Sequence, residues 1–191
     1  KSSEDLAQPW YVIAEEELNR LMQATLGETL GWKPGVSSTS FTGGASRPII
    51  RGHGGNRVRI LSNGLGTQDL SNTSPDHAIT IDPLMVEQVE ILRGPATLLY
   101  GGAANGGAVN IIDGRIPSSL PTETSGGVSA GYIGASEGKY ASLKFDIPTG
   151  KYVFHFDATF RDSKDYTTPS FNPHAGEEHD EDEHDEDEHD E

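Results

Sequence analysis

The strongest constraint in this sequence is an alternation. From Ala141 to Ile147 the apolar residues Ala141, Leu143, Phe145 and Ile147 fall on every second position, with Ser142, Lys144 and Asp146 between them. After Pro148-Thr149-Gly150 the pattern resumes: Tyr152, Phe154, Phe156, Ala158 and Phe160 alternate with Val153, His155, Asp157, Thr159 and Arg161. Successive side chains of a strand point to opposite faces, so each segment is predicted to be a strand with one apolar and one polar face. Period two holds through about ten residues in the longer run, the length at which a tilted strand crosses a bilayer. A half-buried hairpin of a water-soluble sandwich carries the same alternation, so the pattern alone leaves both solvents open. Val128, Ala130 and Tyr132 predict a weaker third strand ahead of the pair. Three strands cannot close a barrel and leave two open edges, so they require packing elsewhere or further strands.

Residues 1–116 mix short helical and strand signals with many glycines. Tyr11-Val12-Ile13 reads as a short strand. Ala14 to Met22 carries its acids early, where they suit the positive helix N-terminus, and sets Leu18, Leu21 and Met22 on one face, which predicts a helix. Pro34-Gly35 is expected to end the next short helix. Ile49-Ile50-Arg51 and Arg57 to Leu61 read as strands, followed by a turn at Asn63-Gly64. Asp82-Pro83 pairs a good N-cap with proline at the first helical position. Val86 to Arg93, broken by Gly94-Pro95, and Gly107 to Ile112 supply two more strands. Short strands and helices in this mixture make a small α+β domain.

Charge divides the chain again. The net charge is −16, yet residues 177–191 hold 12 acids and no base, leaving 18 acids against 14 bases in residues 1–176. Nucleic-acid binding through a broad basic face is disfavoured. The absence of cysteine excludes disulfides, thiolate metal sites and cysteine catalysis. No apolar run approaches the roughly 18 residues of a membrane helix. Gly101 to Gly107 lacks the Lys-Ser/Thr of a phosphate loop, and Gly52-His53-Gly54-Gly55 misses the dinucleotide fingerprint. With no His-Glu-x-x-His, nucleophile elbow or triad, an enzyme is not expected. Arg47, Arg51, Arg57, Arg59 and Arg93 are expected to pair with carboxylates, and His155 to serve polar packing beside Asp157. Lys1 has no charged-then-apolar leader behind it, as in a mature or trimmed chain.

The stretch Val86 to Asp113, VEQVEILRGPATLLYGGAANGGAVNIID, resembles the plug-domain signature of TonB-dependent outer-membrane receptors. Glu87 and Glu90, Leu92-Arg93-Gly94-Pro95, Leu99-Tyr100-Gly101, Gly106-Gly107 and Asn110-Ile111-Ile112 carry the likeness. So do Ile50-Arg51-Gly52, Asn56-Arg57-Val58 and Gly31 to Val36 upstream. The resemblance implies an α+β plug domain with a small mixed sheet over residues 1–120. It also implies the first antiparallel strands of a transmembrane β-barrel over 121–162, and an acidic, His-rich extracellular loop over 163–191. Barrels of this family have about 22 strands, so most of this one lies beyond the chain. The implied setting is the outer membrane of a Gram-negative bacterium, in contact with its lipid. The implied partner is TonB with its inner-membrane energising complex. The family's TonB box lies at the extreme N-terminus; Lys1 to Leu6 do not match it, and the box is expected upstream.

Ser74-Pro75-Asp76-His77-Ala78 followed by Ile81-Asp82-Pro83 is similar to the plug of zinc-uptake receptors of the ZnuD type. That likeness implies Asp76 and His77 as zinc ligands on an outward loop, completed by barrel residues. Zinc, the transported ion, accepts imidazole nitrogen and carboxylate oxygen, usually four ligands in all, so this pair supplies half a site at most. In the tail, His179, His184 and His189 recur every five residues among carboxylates, with His174 before them. Like charge at that density predicts disorder, and the periodic imidazoles predict many weak, exchanging metal sites. Intrinsic affinity would favour copper over zinc at such ligands, so the identity of the metal rests on the resemblance. The leading expectation is a zinc importer. Its alternatives are a receptor for haem, a siderophore or another metal, and, in a different class, a soluble metal-buffering module.

Overall fold

A computed structural model describes residues 10–117 and 119–165. The histidines at 174, 179, 184 and 189, with the expected disorder of the tail, lie outside the described residues. The elements in chain order are β1 (Trp10–Ala14), α1 (Glu15–Leu21), α2 (Leu26–Leu30), β2 (Val36–Ser38), β3 (Pro48–Ile50), β4 (Val58–Ser62) and β5 (Leu65–Gly66), then β6 (Gln88–Leu92), β7 (Gly107–Ile112), β8 (Ser125–Ile133), β9 (Gly138–Thr149) and β10 (Tyr152–Asp162). Short 3-10 turns join several of them. Among the described residues no helix is long and apolar enough to cross a membrane, which says nothing of strands.

The first half is organised by a five-stranded mixed sheet in the order β1-β6-β7-β4-β5. β7 is central. It runs antiparallel to β6, pairing Val109 with Ile91, and parallel to β4, pairing Val109 with Ile60. A strand flanked on both sides and covered on both faces is expected to be largely apolar, and in GAVNII all but the last residue are buried. Its one polar side chain, Asn110, is satisfied by donating to Glu90 Oε2 at 2.9 Å and accepting the Gly64 N–H at 2.8 Å. Ile13, Ile60, Val89, Ile91, Val109 and Ile111 form the core with Leu18 of α1 and Leu26 and Leu30 of α2. Gly106 leads into β7 through a gap that only glycine fits, since a Cβ there would lie 2.9 Å from the Arg57 carbonyl oxygen. β2 and β3 form a separate small antiparallel pair.

The second half is a three-stranded antiparallel sheet, β8-β9-β10. Its register sets Phe156 opposite Phe145, Phe154 opposite Ile147, and His155 opposite Asp146. One face is therefore aromatic and aliphatic and the other polar, as the alternation predicts. β9 and β10 have 12 and 11 residues, enough for a tilted crossing of about ten residues.

Several local expectations need correction. α2 stops at Gly31, before Pro34-Gly35, because the Gly31 N–H is shared between the carbonyls of Gly27 and Glu28 at 3.0 and 3.2 Å. Asp82 caps as expected, accepting the Leu84 N–H at 3.0 Å, and the turn it opens is the 3-10 turn Pro83–Met85. The Val86 N–H closes that turn on the Pro83 carbonyl, which delays β6 to Gln88. Pro148 and Thr149 belong to β9, so the hairpin turn is Gly150-Lys151, with Gly150 at φ +62°. The buried arginines are not held by carboxylate pairing as expected. Arg93 donates to the Pro34 carbonyl at 2.6 Å and stacks over the Tyr11 ring, and Arg47 donates to Asn72 Oδ1 at 3.0 Å.

Candidate functional site

Between β5 and β6 the chain runs through a long polar loop, 67–82, that carries Asp76 and His77. It is held by its own side chains. Asp69 Oδ2 accepts the Thr80 N–H and hydroxyl at 3.3 and 3.2 Å, closing the loop across its base. Asn72 Nδ2 donates to the Thr67 carbonyl at 3.0 Å, and its Oδ1 accepts from Arg47. Burial alone would push Asp69 up. The Ser71 hydroxyl, both Thr80 donors and the Arg47 charge outweigh it and hold the carboxyl below the usual carboxylate range. Burial lowers Arg47, and the Asp69 charge opposes that change.

Asp76 and His77 sit at the exposed tip, with about half of each side chain open to solvent. Asp76 Oδ1 lies 3.0 Å from His77 Nδ1 and also accepts the Ser74 hydroxyl. These contacts, the Ser74 hydroxyl first, keep the Asp76 carboxyl below its ordinary value. An imidazole whose Nδ1–H donates to a carboxylate presents the Nε2 lone pair, the arrangement in which a histidine binds a metal. The two side chains meet each other, with Asp76 against the imidazole, whereas the sequence expectation has both turning towards one zinc ion. Among the described residues no three of His, Asp and Glu gather closely enough to enclose a metal ion. His77 also borders a cavity of about 680 Å³ whose walls include Asp69, Asp82, Asp113, Asp157 and Arg115. That cavity lies between the loop and the polar face of β10.

The polar face of β9 and β10 meets the first domain through ion pairs that spacing in sequence did not reveal. Lys144 Nζ donates to Glu87 Oε1 at 2.6 Å. Arg161 donates to the Ala24 carbonyl at 2.7 Å and to Asp82 Oδ1 at 3.0 Å. Arg115, on the segment joining the two sheets, donates to Asp157 Oδ2 at 3.2 Å. His155 lies between Asp146 and Asp157, with Nδ1 and Nε2 at 2.7 and 3.1 Å from their carboxylates. Both ring nitrogens are engaged within the sheet, so His155 is part of the polar packing. A further cavity of about 470 Å³ separates Glu87 and Gln88 from Ser129 and Ser142.

Over residues 2–108 the chain matches the family model of the TonB-dependent receptor plug domain. It is 37% identical over 116 residues to the ferrichrome outer membrane transporter/phage receptor of Escherichia coli (strain K12), covering 58% of this chain and 15% of that protein. With the ferrioxamine receptor of Yersinia enterocolitica it shares 32% identity over 113 residues, covering 57% and 16%. With the vitamin B12 transporter BtuB of Photobacterium profundum it shares 31% over 126 residues, covering 65% and 21%. Among solved structures, the ferric enterobactin receptor PfeA of Pseudomonas aeruginosa superposes with a TM-score of 0.66 at 21% identity, covering 84% of this chain and 25% of that one. The chain spans between 15% and 21% of the length of these curated relatives.

Proposed function

Because this chain belongs to the family of TonB-dependent outer-membrane receptors, whose plug-domain model covers more than half of it, we propose that it forms the plug and first wall strands of a receptor that takes up a metal-borne nutrient with energy passed on by TonB. One observation carries this reading. The two halves point their apolar side chains in opposite directions, inward in the plug and outward in β8–β10, and meet across polar faces. That is the arrangement of a water-soluble stopper seated inside a wall that faces lipid. Short turns mark the periplasmic rim of such barrels, so Gly150-Lys151 lies there and β10 rises to the exterior. On that path the acidic, His-rich stretch from His174 onward is an external segment.

The names of the relatives support an organic metal complex, such as a ferric siderophore, as the cargo. A second reading, zinc import, is favoured by the exposed Asp76–His77 pair, in which Asp76 holds the imidazole and leaves Nε2 as one ligand for a divalent ion, the others to come from the rest of the barrel. In this reading the histidines at 174, 179, 184 and 189 gather the ion before the plug receives it. The test is uptake by cells carrying the full-length receptor, with and without TonB, using zinc, ferric ferrichrome and vitamin B12 as separate probes. TonB-dependent accumulation of one of them supports the receptor. If the cargo is zinc, Asp76→Ala with His77→Ala lowers its uptake by about 10–100-fold at scarce zinc. If it is a chelate, the double variant leaves uptake in place. A protein that partitions into the periplasm and imports none of the three under TonB would return the soluble buffer to first place.

A further inference from the structure

The interface between plug and wall strands is a seam of spaces rather than a packed surface. Three of these spaces, of about 270, 230 and 210 Å³, meet at one side chain, Arg161, which stands in the wall of each. The two larger cavities join the same set. The 470 Å³ space shares Leu84 with one of the three, and the 680 Å³ space shares Thr80, Ile81 and Asp82 with another. Four of the five border the 3-10 turn Pro83–Met85, and the fifth adjoins them at Arg161. What divides them is that turn and the guanidinium that grips its cap.

Arg161 is suited to the task. Its two nitrogens bind two plug segments far apart in sequence, the Ala24 carbonyl ahead of α2 and the Asp82 carboxylate at the end of loop 67–82. A forked guanidinium can hold both at once, whereas a lysine could not. Arg161 and Asp82 are each about 30% exposed, so the pair is reachable by water. Elsewhere along the seam the ties are Lys144 with Glu87 and Arg115 with Asp157, again polar. Struts of this kind exchange for hydration at little net cost, because water replaces each partner nearly as well. Parting an apolar interface would instead expose surface that water disfavours.

We infer that Arg161 is the latch of this seam. Bound to Ala24 and Asp82 it keeps the three spaces at its side chain apart and pins the end of the loop that carries Asp76 and His77. Its release joins them into one water-filled route along the inner face of β9 and β10. Arg161 is thus a positioning residue that acts through Asp82, and its role in import rests on the receptor reading above.

The test uses the full-length receptor in outer membranes. Asp82→Asn keeps the Oδ1 that accepts from both the Leu84 N–H and Arg161, so it spares the cap and removes only the charge of the pair, whereas Arg161→Gln removes the fork. Arg161→Gln is expected to raise permeation of a bulky antibiotic that the wild type excludes by a few-fold, the population shift that follows loss of a partly exposed charged pair, and Asp82→Asn by less. Arg161→Lys, which keeps the charge without the fork, falls between. In a second arm, Asp82→Cys with Arg161→Cys is tethered by a cleavable bifunctional thiol reagent. The tethered receptor is expected to bind zinc and ferric ferrichrome as the untethered one does, yet lose TonB-dependent uptake until the tether is cut. Undiminished uptake through the tethered seam, or antibiotic exclusion unchanged in both single variants, overturns the latch. If the wild type imports neither probe under TonB, the receptor reading falls instead, and the antibiotic arm still judges the latch.

Discussion

β7 and β10 are both rich in apolar side chains and make opposite use of them. Ile91, Val109 and Ile111 around β7 are 0% exposed, while Phe154 on β10 is 65% exposed in the chain as it stands. Neither strand has unusual propensity. The difference lies in what each is to be covered by. β7 has strands on both sides and helices over it, so its apolar residues are satisfied within the domain. β10 turns His155, Asp157 and Arg161 toward the plug and presents its phenylalanines outward, where, in the proposed receptor, lipid covers them. A strand's polar face thus tells as much about its solvent as its apolar face does.

The sharpest way to break this contrast is to put charge on each apolar surface. Ile91→Asp, in the plug core, is expected to cost about 4 kcal/mol or more, since a buried carboxylate there finds no partner. Limited proteolysis of the purified receptor would then cut the plug while the barrel survives. Phe156→Lys on the outward face should cost about 2–4 kcal/mol in a bilayer, read from folding equilibria into lipid vesicles. A neutral result there would mean that the face does not meet lipid. Lys144→Ala removes one strut of the seam. Both it and Glu87 are about 40% exposed, so the effect should stay below about 1 kcal/mol and shrink further in high salt, as melting curves at two ionic strengths would register. The smallest effect belongs to Asp69. Its folded pKa is depressed, so its contribution to loop stability is present above the unfolded value of about 3.9 and is lost as pH falls through the folded one. Protease resistance of loop 67–82 should decline with acid in that window, and Asp69→Asn should flatten the decline.

What could be read from the sequence was local. The two strands of the hairpin β9–β10, the strand GAVNII and the Asp82 cap each depend on neighbours a few residues away, and each appears where the pattern places it, although the turn between β9 and β10 falls later than Pro148-Thr149-Gly150. The parallel pairing of β4 with β7 does not, because it joins segments almost fifty residues apart without a connecting turn. Arg161 was legible only as a polar-face residue. Its partners lie 79 and 137 positions away, and no periodicity encodes a contact of that kind. Arg93 misled for a related reason: a buried guanidinium can be satisfied by a carbonyl and an aromatic ring as well as by a carboxylate. The Asp76–His77 pair was visible because adjacent residues on a loop can meet without help from the fold.

The account stands on β8–β10 being wall strands in lipid around a plug in water. Nitroxide labels placed one at a time from position 153 to 160 in the full-length receptor, reconstituted in vesicles, test this directly. Collision with dissolved oxygen should peak at positions 154, 156, 158 and 160 and fall at the intervening ones, while a water-soluble nickel chelate shows no access to the even positions. Equal access of the nickel chelate to both faces would contradict it.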